Sequence, residues 1–288
     1  MEKAAAGSDT RRAGIELLRI LAMTGIVMSH FSFHGGFDFP PDRISVNRLW
    51  MQFFVILGKT ASNIFVIISG YFLVASKKFN VVRLFRLWLQ TVTYSVVLYF
   101  VFVLAGTEKF SFLNAVKSFM PISFEQWWFA SAYFMLSLLS PFLNILLTSL
   151  DRKRYKQLLM ILTFCWSVMP TLTTKLIGSN DLLWFMYLYA LAGYLRLYPP
   201  RNVKSRTCFL SAAAVFAFLA GSVVLFDLIG RRVPIIGENA TVFSGEQKLP
   251  ALLLSVLLFE AFNEIRVEKG AKFITVTASA TFGGVSAA

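Results

Sequence analysis

Histidine and cysteine are nearly absent from this chain: 288 residues contain two of each. Cys165 and Cys208 stand in apolar surroundings without metal-ligand spacing, so they read as packing residues and carry no redox information. No metal site is expected. Acids are also scarce, 15 Asp and Glu against 28 Lys and Arg. That balance does not point to nucleic acid, because the basic residues fall between apolar runs rather than on a soluble module. There is no G-x-S-x-G elbow, no Gly-rich phosphate loop ending in Lys-Ser or Lys-Thr, and no H-E-x-x-H. A classical hydrolase, a P-loop ATPase and a zinc protease are poor readings for that reason. Low-complexity linkers and internal repeats are missing too.

What fills the chain instead is apolar. It is 57% hydrophobic and 16% aromatic, with 30 Phe and a mean hydropathy of +0.65. One soluble domain could not hide that much apolar surface, so the expected fold is an all-α polytopic transmembrane helix bundle in one domain, residues 1–288. A porin-like barrel is disfavoured because the apolar stretches are continuous rather than alternating. Nine stretches read as spans, at about 14–33, 54–75, 84–105, 127–148, 157–177, 182–198, 207–229, 249–267 and 273–288. The first is not a cleavable signal, since it holds Glu16 and Arg19 and lacks a small-x-small cleavage site. A cytoplasmic N-terminus gathers most Lys and Arg on one side, including Lys77, Lys78, Arg83 and Arg86, the run from Arg152 to Lys156, and the run from Arg196 to Arg206.

Three polar residues stand inside the first stretch. Arg19 and His30 are eleven positions apart, three helical turns plus roughly 20°, and therefore share one face. Glu16 lies one turn before Arg19. Such a stripe costs several kcal/mol to insert unless it faces a polar cavity. Arg19 keeps its proton and requires an anion or several carbonyls. Either Glu16 is a plain structural partner, or Arg19 lines a cytoplasm-facing channel for an anionic, phosphate-bearing donor. His30 and His34 are the only imidazoles, so any imidazole base is one of them; a near-neutral imidazole suits deprotonation of a hydroxyl. His34, followed by Gly35-Gly36, falls at the external boundary. Ala22, Gly25 and Ser29 lie beside the stripe and permit close helix packing.

The second stretch ends in Ser69-Gly70-Tyr71-Phe72, with Lys77, Lys78, Arg83 and Arg86 behind it. That basic cluster is either a topology anchor or a docking surface for nucleotide phosphates. Trp127 and Trp128 open the fourth stretch from outside, as interfacial anchors or as stacking faces for a sugar.

Together these motifs resemble the membrane acyltransferase-3 family. Gly14-Ile15-Glu16-Leu17-Leu18-Arg19 with His30 looks like its first-helix signature, and Ile64 to Phe72 like its second-helix motif. Trp127-Trp128-Phe129-Ala130 with Tyr133 and Pro141, and Tyr189 to Tyr194, resemble later elements. The resemblance implies about ten spans in a bacterial inner membrane. It implies transfer of an acyl group, usually acetyl, from cytoplasmic acyl-CoA to a hydroxyl of a surface or lipid-linked glycan, with no permanently bound cofactor. It assigns His30 as base, Arg19 to the donor channel beside Glu16, and Arg83 and Arg86 to the CoA phosphates, with Lys77 and Lys78 in the same basic stretch. Trp127, Trp128 and Tyr71 are the candidate acceptor contacts. The end departs from the pattern: Ala280-Thr281-Phe282-Gly283 begins the closing motif and the chain stops five residues later, so an incomplete last helix at about 273–288 and an inactive truncated homologue are open readings. The alternative from another class is a secondary transporter or glycan flippase, which would use Glu16, Arg19 and His30 as a pathway; no paired half-repeats support it.

Overall fold

The computed structural model describes residues 2–40, 43–76, 80–176, 178–200, 204–267 and 270–279, with side chains from Ala13 onward. Every regular element among them is helical. The long helices are α1 (Glu2–His34), α2 (Val46–Leu73), α3 (Val81–Leu104), α5 (Trp128–Ser149) and α9 (Ser205–Gly230). Between and after them come α4 (Phe112–Phe119), α6 (Arg152–Thr163), α7 (Met169–Thr173), α8 (Asp181–Leu197), α10 (Pro234–Glu238), α11 (Leu249–Asn263) and α12 (Ala271–Ser279). Among the described residues, six helical segments are long and apolar enough to cross a membrane: Ala13–His34, Val46–Leu73, Val81–Leu104, Trp128–Ser149, Ser205–Gly230 and Pro234–Asn263.

The nine apolar stretches therefore divide. Six correspond to these segments. The stretch at 157–177 holds a helical run that is unbroken to Thr173 but widened by a π turn at Phe164–Val168, which joins α6 to α7 just before Pro170, whose ring nitrogen has no proton for the helical ladder. Lys248 donates to the Pro170 carbonyl, and the Thr171 hydroxyl accepts from the Leu249 amide, so the start of α11 is tied to this turn. The stretch at 182–198 becomes α8, only 17 residues long. The last stretch is described only as far as Ser279, in α12; the 280–283 motif, like Lys77 and Lys78, lies outside the described residues.

α2 and α8 occupy the centre. Ile64, Phe65, Val66, Ile67 and Ile68 are buried in succession, which places every side of α2 against protein. In α8, Trp184, Phe185, Tyr187, Leu188 and Tyr189 are equally enclosed. α1 packs along α2, while α5 and α6 cover α8. By contrast α3 and α9 are peripheral: 17% of each spanning stretch is buried, against 72% for α2. Their exposed Val97, Val101, Leu210 and Phe218 suit hydrocarbon.

Small residues set the closest approaches. A Cβ on Gly58 would fall 2.1 Å from the Ser29 Cβ, so α1 and α2 nearly touch there; Gly25 meets Leu57 in the same way. At the other end of α2, Gly70 lies under Tyr189 and Ala192 of α8, where an added Cβ would meet Ala192 Cβ and Tyr189 Cα at 3.0 Å. The Ser69-Gly70 pair thus makes a close helix contact, not a kink. Ser69 Oγ hydrogen-bonds Tyr133 Oη at 2.8 Å and ties in α5.

A buried ion pair fastens the end where α2 starts and α9 finishes. Arg48 donates from Nε and Nη2 to Asp227 (3.0–3.2 Å), from Nη1 to the Phe39 carbonyl (2.8 Å), and from Nη2 to the Gly237 carbonyl (2.7 Å). Gln52 adds a further bond to Asp227. Every nitrogen of this guanidinium has an acceptor, which is how a buried arginine becomes a fixture.

Candidate functional site

Local helix geometry builds the first part of the site. Arg19 Nη1 donates to both oxygens of Glu16 (2.8 and 3.0 Å), an i,i+3 pair that costs no tertiary arrangement. Arg19 is buried, and its other N–H groups bond no acceptor among the described residues. The contrast with Arg48 is informative. Arg48 is saturated by protein; Arg19 keeps N–H donors without an acceptor among the described residues.

His30 lies on the same helix stripe but is exposed, toward the far end of α1. Its Nδ1 lies 2.9 Å from the Ile26 carbonyl oxygen. A carbonyl only accepts, so in the neutral ring Nδ1 carries the proton and the lone pair is on Nε2. In that form Nε2 is the nitrogen able to accept a proton. His34 stacks nearby, ring centroids 6.0 Å apart and planes 19° from parallel. Arg19 and His30 are thus brought to one face, though not into contact: a burial gradient separates them along α1.

At the level of His30 the structure assembles residues the sequence left unassigned. Ser29 and Gly58 touch, so His30 and Lys59, the next residues along, share that depth. Lys59 Nζ lies 3.5 Å from Glu246 Oε2 and 5.8 Å from the centroid of the Trp128 ring. One turn on, Asn63 donates to the Glu246 carbonyl (2.8 Å) and accepts from Trp184 Nε1 (2.9 Å). Trp127 and Trp128 remain 43% and 37% exposed, and Trp128 offers an aromatic face beside the ion pair. A left-handed Glu125 (φ 49°) turns the chain into α5 and sets them there. The signal for Lys59 was available: a charge in the interior of an apolar helix asks for a partner. Its partner Glu246 was not, being far away in sequence.

Tyr71 does not join this group. It lies twelve residues beyond Lys59 on α2, about 18 Å along the axis, so Trp127, Trp128 and Tyr71 do not form one pocket. Tyr71 is buried at the opposite end of α2, edge-on to Phe259 (5.1 Å) and beneath the Arg196 guanidinium (5.0 Å). Near that end, half-buried Arg83 and exposed Arg86 stand in the first turns of α3, where Asn80 caps the Arg83 amide at 3.0 Å. Among the described residues no group of three His, Cys, Asp or Glu side chains is arranged to hold a metal ion.

The arrangement is a polar stripe in a helical bundle, with an imidazole nitrogen that has no partner among the described residues toward one end and arginines toward the other. A family model described as an acyltransferase domain matches residues 12–283 of the chain. No curated protein and no solved structure matches it.

Proposed function

The chain belongs to the acyltransferase-3 family, whose model spans nearly all of it, and is a membrane acyltransferase; from that premise we propose an O-acyltransferase of a bacterial inner membrane with its N-terminus in the cytoplasm. The donor is acyl-CoA, most simply acetyl-CoA, entering from the cytoplasm toward Arg19. The acceptor is a hydroxyl of a surface or lipid-linked glycan, approaching at the depth of His30, Lys59 and Trp128. His30 Nε2 removes the hydroxyl proton as its oxygen attacks the thioester carbonyl; the C–S bond then breaks, and the proton passes to the sulfur so that CoA leaves as the thiol. Arg19, held by Glu16, contacts the donor with its remaining N–H edges, while Arg83 and Arg86 meet CoA phosphates at the cytoplasmic mouth.

The observation that carries this reading is the His30 contact: Nδ1 lies 2.9 Å from the Ile26 carbonyl oxygen, which in the neutral ring takes the Nδ1–H and leaves the lone pair on Nε2, on the stripe that also holds Arg19. The test is the O-acetyl content of the surface polysaccharide, read by proton NMR in a deletion strain complemented with wild type or His30→Ala. Wild type restores the acetyl signal. His30→Ala does not, at equal abundance in the membrane. Equal restoration by both would remove His30 as the base.

A further inference from the structure

Arg196 was counted in the sequence only as a marker of topology. In the structure it has a defined seat. It lies in the last turn of α8, and the close contact of α8 with Gly70 of α2 brings it over the very next residue, Tyr71. Its guanidinium carbon stands 5.0 Å from the centroid of the Tyr71 ring, and Nη1 reaches Tyr71 Oη at 3.4 Å. The Tyr71 ring is itself immobilised, 8% exposed and packed edge-on against Phe72 and Phe259.

The chemistry of that seat is specific. A guanidinium held over a ring contributes its face to the contact and leaves the N–H donors around its rim available. Arg196 uses only one of these, in the long bond to Tyr71. Among the described residues no carboxylate pairs with it, and the residue is exposed. Two arginines with carboxylate partners look different: Arg48 is saturated with acceptors, and Arg154 pairs with Asp151 on the surface. A guanidinium seated over a fixed ring, with no carboxylate partner, is suited to a bidentate bond with a phosphate, because part of its side-chain freedom is already lost.

We infer that Arg196, seated on Tyr71, is a phosphate-binding residue of the acyl-CoA donor site. This rests on the acyl-CoA reading above. It also gives Tyr71 a different role from that of an acceptor contact: it is the platform that positions Arg196.

The test is binding to purified full-length protein in phospholipid-free detergent, with three probes: CoA, 3′-dephospho-CoA and pantetheine, which has no phosphate. Arg196→Met weakens CoA about ten- to a hundredfold, the range for loss of a charge-assisted hydrogen bond. Pantetheine binding stays the same, and the thermal midpoint moves little because the residue is exposed. If the contact is to the 3′-phosphate, wild type already binds 3′-dephospho-CoA as weakly as the variant binds CoA; if it is to the pyrophosphate, the variant weakens both nucleotides alike. Arg154→Met, which removes a charge that already has a partner, leaves CoA affinity unchanged. Unchanged CoA affinity in Arg196→Met overturns the inference, and so does parallel loss of CoA and pantetheine, which marks a structural residue. Loss of phosphatidylglycerol binding with CoA affinity intact overturns it in favour of a lipid headgroup. Failure of wild type to bind CoA defeats the donor reading itself, and the inference with it.

Discussion

At the scale of single residues, three arginines show how one side chain serves different ends. Arg48 bonds Asp227 and loop carbonyls through every nitrogen, whereas Arg19 and Arg196 each keep donors without an acceptor among the described residues. Removal should separate them. Arg48→Met strands the fully buried Asp227 carboxylate and is expected to cost about 3–5 kcal/mol, read as a large drop in the thermal midpoint in detergent. Arg19→Met leaves Glu16 only partly buried, so the expected result is a smaller stability change with a severe loss of transfer. A thermal midpoint in Arg19→Met as low as that of Arg48→Met would make Arg19 structural. His30 was legible at this scale because a base requires an imidazole and only two exist. Its tautomer was not, because that depends on where the Ile26 carbonyl points once the helix has formed.

At the scale of elements, the α1–α2 contact decides where the reactive stripe sits. Gly58→Ala drives a methyl into the Ser29 side chain at 2.1 Å, so α1 must move away. We expect a large loss of transfer with normal membrane insertion. Ser29→Gly in the same chain should recover much of it, since the remaining close neighbour, the Gly25 carbonyl, is at 3.3 Å. No recovery would show that the contact does not set the site. Peripheral helices should behave otherwise. Val97 of α3 is 52% exposed, and Val97→Ala should change transfer and stability within about 0.5 kcal/mol, as for a side chain outside the core. Small residues beside the stripe were visible in the sequence as packing material. Which glycine they meet was not, since helix pairing is not written in the periodicity of either helix.

At the scale of the whole molecule, charge is distributed by end. The arginines at 83, 86, 152, 154 and 196 lie at helix ends that share one side in the alternating path of α2, α3, α5, α6 and α8. Single-cysteine labelling in a Cys165→Ser/Cys208→Ala background tests the orientation proposed here. Arg231→Cys should react with an impermeant maleimide in intact cells, and Arg154→Cys only after permeabilisation. The reverse pattern would invert the topology and place the donor arginines on the wrong side for cytoplasmic CoA. Span number depends on the whole assembly as well: α8 is a 17-residue helix sheathed by protein, and the apolar stretch at 157–177 is widened at a π turn. Hydropathy records how apolar a segment is and not whether lipid or protein covers it, so the sequence does not separate such interior helices from lipid-facing ones.

What the sequence by itself determined is local. Composition dictates a helical membrane bundle, spacing along one helix puts Glu16, Arg19 and His30 on one face, and the ordered motifs carry the family. Tertiary structure alone decided which polar groups are satisfied. Arg48 meets Asp227 across 179 residues, Lys59 meets Glu246 across 187, and Arg196 meets Tyr71 across 125. A hydrogen bond needs both partners within about 3.5 Å. Over such separations that distance is fixed by helix packing, which no local pattern contains.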